Sequence, residues 1–389
     1  MLVEFWQNFT HNLFKPLLLF FYFGFLLALM KVPFEFPAAV YHGLTMYLLL
    51  AIGWHGGEEL AGIDLSRLGG ILGFVATGFV SNFLIGTLAY YLLKHLTRMR
   101  EVDRATVAGY YASDSAGTFA TCLGVLATAG IAYDAYMPVM LAVMEIPGCL
   151  VALLLVARLR HKGMDADGYM PKEAGYTVPA GAVHAVSTVA TKSDPSGFAI
   201  DMRPEGPAVD TSTRGRLLNQ ELLREVFLNP GICLLLGGIL IGFLSGLQGS
   251  QVTSVEDPVF ITAFQGALCL FLLEMGLTAA RKLQDLKSAG RGFILFGLLV
   301  PNLFATIGIL VVRGYSLLTG VQFELGSYVL FAVLSGAASY IAVPAIQRLA
   351  IPEASPSLPL AASLGLTFSY NVTIGIPLYI EIAHLVSSL

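Results

Sequence analysis

Six stretches of this chain, 36–57, 68–93, 226–255, 292–312, 325–347 and 354–380, run for more than twenty residues without one Asp, Glu, Lys or Arg. A bilayer core is crossed by about 20 apolar residues of helix, so each run is long enough to span it. In lipid, backbone polar groups must be satisfied inside the segment, and at this length that means helix. Only 12% of the residues are charged, against roughly 25% in soluble proteins. The chain reads as an all-α polytopic membrane protein.

Apolar runs between charges and turn residues give ten transmembrane spans, near 14–30, 36–53, 68–93, 105–129, 134–157, 230–247, 258–279, 291–312, 325–349 and 358–386. With the N-terminus on one side, that side collects Lys15, Arg67 and Arg313. The other side collects Lys31, Lys94, Arg98, Arg100, Arg104, Arg281, Lys282, Lys287, Arg291, Arg348 and the basic residues of a long central loop. Basic residues stay cytoplasmic, so both termini are predicted outside. Met1–Phe14 holds only Glu4 as a charge; no cleavable signal is evident, and the first span is expected to direct insertion.

Several classes fall away. A net charge of −4 with no basic stripe gives nucleic acid no footing. Cys122, Cys149, Cys233 and Cys269 lie unpaired in apolar segments, and the histidines show no metal spacing. Ser113-Asp114-Ser115-Ala116-Gly117 is a near miss of the nucleophile elbow, lacking its first glycine and any histidine in reach. There is no Walker sequence, so neither an enzyme nor direct ATP drive is expected.

The two halves resemble each other. Pro16 and Gly24 match Pro230 and Gly238 at an offset of 214; Leu49, Leu50 and Gly53 match Leu272, Leu273 and Gly276 at 223; Ile146-Pro147 matches Ile376-Pro377 at 230. Because each half holds an odd number of spans, the second must run inverted through the membrane. The predicted organisation is a 5+5 inverted repeat: 1–158, a linker at 159–219, and 220–389. Such repeats are typical of secondary transporters, whose sites lie at the midplane where broken helices cross. The linker, rich in Ser, Thr, Pro, Gly and Ala, reads as a mostly disordered cytoplasmic connector.

Two spans carry small and hydroxyl residues mid-membrane. The fourth has Ser113, Asp114, Ser115, Gly117 and Thr118; the ninth has Ser335, Gly336, Ala338, Ser339 and Tyr340. Such residues allow close helix crossings, and they also take over hydrogen bonds freed by a break. Breaks at both places would make two discontinuous crossing helices, their N-termini aimed at an anion and their freed oxygens at sodium. A mid-span carboxylate costs at least about 2.5–3.5 kcal/mol unless paired or hydrated. Asp114 therefore reads either as the group that couples a cation or proton, or as a helix-to-helix hydrogen-bond partner. Glu145, beside Pro147, is an ion-site candidate or a structural partner. Asn371 and Thr373 offer the mirror region hard oxygens, and Tyr340 either donates to substrate or walls the cavity.

In order and spacing these segments resemble the SbtA-type sodium-dependent bicarbonate transporter family. The resemblance rests on Ser113-x-Ser115-Ala116-Gly117-Thr118, Glu145-Ile146-Pro147, Ala338-Ser339-Tyr340-Ile341-x-x-Pro344, Ala350-Ile351-Pro352 and Thr373-Ile374-Gly375-Ile376-Pro377. It implies a bacterial inner-membrane symporter of bicarbonate and sodium, trimeric, moving by an elevator mechanism. Spans 1, 2, 6 and 7 would form a gate domain, and spans 3–5 and 8–10 a mobile core. Ser113, Ser115, Gly117, Thr118, Gly336, Ala338, Ser339 and Tyr340 would line the anion site; Asp114, Glu145, Ser339, Asn371 and Thr373 would serve the cation. Cyanobacterial members also answer to a cytoplasmic PII-like regulator. Tyr340 stands where those members carry an aspartate, and Asp114 where they carry a small or apolar residue. That exchange leaves bicarbonate selectivity, another small anion such as a monocarboxylate, and the regulator as open questions.

Overall fold

The computed structural model describes residues 14–63, 68–177, 230–286 and 290–388, apart from 342, 345, 346, 348, 349 and 356. The residues up to 13, and the predicted linker from 178 to its end at 219, lie outside the described residues. Regular structure among them is helical throughout. It comprises α1 Pro16–Leu29, α2 Ala38–Ala61, α3 Leu68–Leu96, α4 Glu101–Tyr111, α5 Ala116–Ala129 and α6 Met137–His161. After the linker come α7 Pro230–Gly246, α8 Ser250–Asp257, α9 Phe264–Asp285, α10 Arg291–Thr319 and α11 Leu325–Gly336. The last span opens with α12 Ser357–Leu360, widens into π turns at Ala361–Phe368 and Asn371–Gly375, and closes with α13 Ile376–Ser387. Among the described residues, four helical runs are long and apolar enough to cross a membrane by length and composition: Gly69–Leu96, Met137–His161, Gln251–Leu283 and Arg291–Thr319.

Local chemistry sets these boundaries. Pro16 and Pro230 open α1 and α7, where a missing N–H costs nothing. Gly130 ends α5 and Gly320 ends α10 in the left-handed conformation, with φ of 65° and 74°. The predicted fourth and ninth spans are both interrupted, between α4 and α5 and again after α11.

The broadest helix contacts are α1 along α9 and α2 along α7. Both seams are backbone against backbone. A Cβ added to Gly24 would strike the Leu273 carbonyl, and one on Gly276 the carbonyl of Phe21. On the other seam, Gly53 meets the Leu235 carbonyl and Gly238 that of Leu50. The sequence offsets of 214 and 223 carry Gly24–Leu273 onto Gly238–Leu50, and Phe21–Gly276 onto Leu235–Gly53. Only glycine permits this approach.

Helices α3, α4 and α6 pack as one group and α10, α11 and α13 as another, and α5 lies against α11. Acidic side chains fasten the ends of the broken spans. Asp103 Oδ1 accepts from the Ser355 backbone N–H at 2.8 Å, while Asp134 Oδ2 accepts from Ser327 Oγ at 2.6 Å and Glu324 N–H at 3.2 Å. Arg160 and Glu353 form an ion pair at 2.8 Å.

The first residues of the predicted linker, up to Thr177, are held by hydrogen bonds of their own. Asp165 accepts from the backbone of Tyr169 (2.7 Å), Thr177 (2.8 Å) and Asp167 (3.1 Å), and from Thr177 Oγ1 (3.1 Å). Arg100 donates to the Asp167 carbonyl at 2.8 Å and lies 5.0 Å over the Tyr169 ring. One carboxylate with four donors orders a stretch too polar to build a core.

Candidate functional site at the crossing of two broken helices

In the fourth span, residues 112–115 leave the helix. Ser115 then caps α5, its Oγ accepting from Thr118 N–H at 3.2 Å and from Thr118 Oγ1 at 2.8 Å. In the ninth span, α11 ends at Gly336 and Val343 is again helical, its N–H reaching Ser339 Oγ at 3.4 Å. The same residue type thus restarts both halves. Ser339 N–H donates to the Tyr110 carbonyl at 2.8 Å, joining the breaks directly. Tyr110 Oη in turn donates to Gln347 Oε1 at 2.8 Å.

Ser115, Gly117, Thr118 and Tyr340 are brought together on the side facing α2 and α9. The Tyr340 hydroxyl comes against Gly117 and Ser115 without a well-formed hydrogen bond to either, and the Phe271 ring also packs on Gly117. Phe271 stacks on Tyr41 at 5.9 Å between centroids, and Phe368 meets the Tyr340 ring edge-on at 5.7 Å. The N-terminus of α5 opens onto this group, supplying partial positive charge and unsatisfied N–H groups.

Ser113 and Asp114 occupy the opposite side of the same break. Asp114 is 1% exposed and Ser113 fully buried, yet neither Asp114 oxygen nor Ser113 Oγ has a hydrogen-bond partner. A Cβ on Gly148 of α6 would strike Ser113, and Glu145 stands one turn back on the same helix. Among the described residues no three His, Cys, Asp or Glu side chains converge. A cation held here would therefore combine carboxylate with hydroxyl, amide or carbonyl oxygen, the donor set sodium takes at unwound helices.

Other anticipated residues hold different posts. The Asn371 amide donates to the Gly336 carbonyl at 3.0 Å and accepts from Tyr379 Oη at 2.7 Å, so it braces the end of α11. Thr373 Oγ1 bonds the Ser369 carbonyl at 2.7 Å within its own helix. Gly336 allows α11 to press on the Pro301 carbonyl of α10, and Ala338 is buried behind it. Composition alone gave no sign of Ser363 and Thr367, which are fully buried and precede Asn371 at intervals of four. Thr367 shares a hydrogen bond with Tyr111 Oη at 2.6 Å and donates to the Gly297 carbonyl at 3.1 Å. Their even spacing is the signal that marks them as one polar face.

Broken apolar helices that cross with capped ends, small residues and an unpaired buried carboxylate are the construction found in membrane transport proteins. The model of the Na+-dependent bicarbonate transporter superfamily matches residues 16–384, and the chain belongs to that superfamily. It is thus a multi-pass transporter and not an enzyme, with sodium-dependent bicarbonate transport as its function at the superfamily level. No curated protein matches the chain.

Proposed function

We propose that the protein is a sodium-coupled symporter of a small anion, bicarbonate first, working by alternating access in a bacterial inner membrane with both termini outside. The observation that carries this reading is Asp114, nearly fully buried at a helix break with both oxygens unpartnered. A desolvated carboxylate without a donor is costly, and a sodium ion at this point offsets the cost. The anion is held at the other side of the break by the α5 N-terminus with Ser115, Gly117 and Thr118, with Ser339 and Tyr340 approaching from the ninth span.

The reading assigns α1, α2, α7 and α9 to a gate and α3–α6 with α10–α13 to a core, related in two halves by an inverted repeat. The matched glycine contacts of the two seams support that symmetry. The family resemblance extends the proposal to a homotrimer and to a cytoplasmic PII-like regulator. A monocarboxylate is the second reading, favoured by Phe271 and Tyr340 against Gly117, with Phe368 packed on the Tyr340 ring. Uptake of labelled bicarbonate and labelled acetate into proteoliposomes, under imposed sodium or proton gradients, tests both. Uptake that ignores the sodium gradient for either anion refutes sodium coupling.

A further inference from the structure

Asn82 lies on α3 midway between Gly78 and Gly86, on one face. Gly78 packs against Met140 and Met144 of α6, and Gly86 against Ala108 and Ala112 at the first break. Asn82 therefore faces the junction where α6 meets residues 112–114. Its amide N–H donates to the Met144 carbonyl at 3.0 Å. Because that partner is an acceptor, the amide orientation is fixed, and Oδ1 is the atom left over. Asn82 is 1% exposed, and its Oδ1 has no partner. Ser113, pressed against Gly148 one turn further along α6, has an unpartnered Oγ, as does the adjacent Asp114 at both oxygens, and α6 carries Glu145 next to Met144.

A single buried orphan oxygen is a local defect; such groups are few in folded proteins, and each calls for a cause. Here four atoms from two chain segments are orphaned around one junction, and all are oxygens with lone pairs and no donor. We propose that Asn82 Oδ1 and Ser113 Oγ are cation ligands that complete, with Asp114 and Glu145, a hard-oxygen alkali-cation site behind the first break. The site is enclosed by α3 and α6 and lies on the opposite side of the break from Tyr340. Ser113 thereby leaves the anion set. This inference rests on the reading of Asp114 as a cation ligand.

Ser113→Ala, Asn82→Ser and Asp114→Asn are compared in the full-length protein. One measurement is the sodium concentration giving half-maximal uptake, together with the lithium-to-sodium preference. Another is thermal stability in detergent, in sodium chloride against choline chloride at equal ionic strength. Removing an orphan hydroxyl relieves a desolvation penalty, so Ser113→Ala should be no less stable than the parent in choline. Its stabilisation by sodium should shrink, and its half-saturating sodium should rise about tenfold, the equivalent of 1.4 kcal/mol. Asn82→Ser keeps an oxygen on a shorter arm and should alter the lithium-to-sodium preference, which a residue that only braces Met144 would leave unchanged. If both variants keep parental sodium affinity and preference while Asp114→Asn loses sodium stimulation, Asn82 and Ser113 are not ligands and the Asp114 reading stands. Should Asp114→Asn retain full sodium stimulation, both fall.

Discussion

Ser339 donates its backbone N–H to the carbonyl of Tyr110 over 2.8 Å, fastening the two broken spans main chain to main chain where each loses its helix. The last carbonyls of α4 have no partner within their own helix, and this bond satisfies one of them. Both partners are main-chain atoms, so no substitution short of proline at 339 deletes either of them.

Gly117 is where the first break meets its aromatic neighbours. A Cβ there would strike the Tyr340 hydroxyl and the Phe271 ring. Gly117→Ala is expected to cut uptake at least tenfold with membrane insertion intact, and adding Tyr340→Phe should recover part of the loss by removing the colliding oxygen. A double-mutant cycle on uptake rate measures the coupling; purely additive effects would show that the contact does not govern transport.

Asp114→Asn keeps the shape of the side chain and removes its charge. Sodium-stimulated uptake should vanish while expression and insertion stay normal. Burying a neutral amide is cheaper than burying an unpaired carboxylate, so the variant should be at least as stable in sodium-free buffer. Thermal denaturation in choline chloride gives the comparison, and a fall in stability there would point to a structural post for Asp114.

The glycine seams predict a matched pair of effects. Gly24→Ala and Gly238→Ala each place a methyl against a backbone carbonyl, of Leu273 and Leu50 respectively. Each should lower stability by about 1–3 kcal/mol, the usual cost of overpacking. Gly237, with nothing near its missing Cβ, is the control. There alanine should be neutral or stabilising by up to about 1 kcal/mol through helix propensity. Thermal scans of the three variants check this.

Asp165 should make the ordered start of the linker acid-sensitive. Burial alone would raise its pKa, but hydrogen bonds from Thr177, Tyr169 and Asp167 hold the carboxyl below the usual carboxylate range. A lowered folded pKa means the stabilisation is fully present above the unfolded value, about 3.9. It is lost as pH falls through the lower folded value. Protection of the Tyr169 and Thr177 amides, taken relative to the intrinsic exchange rate at each pH, should be high at neutral pH and fall below about pH 4. Asp165→Asn should show the low protection at every pH, and protection unchanged by that substitution would contradict the assignment.

Much of this fold is written in local sequence. Uncharged runs mark the spans, prolines at 16 and 230 mark helix starts, and the hydroxyl clusters at 113–118 and 335–340 mark the breaks, because each signal needs only its own segment. The order after His161 was hidden, since it depends on a single carboxylate collecting donors as far away as Thr177. Asn82 was hidden for a different reason. One amide in a long apolar span looks like a minor helix contact, and its free oxygen has meaning only once α6 and the first break stand beside it. The contacts of Tyr340 with Gly117 and of Asn371 with Gly336 likewise depend on which spans become neighbours.

The seams of α1 with α9 and α2 with α7 have a mechanical consequence. A packed protein yields most easily where side chains can swing to another rotamer, and a glycine pressed on a carbonyl has nothing to swing. On the proposed gate-and-core reading, these four helices would serve as a stator, and the core would slide past them along the contacts of Phe271, Phe368 and Tyr340.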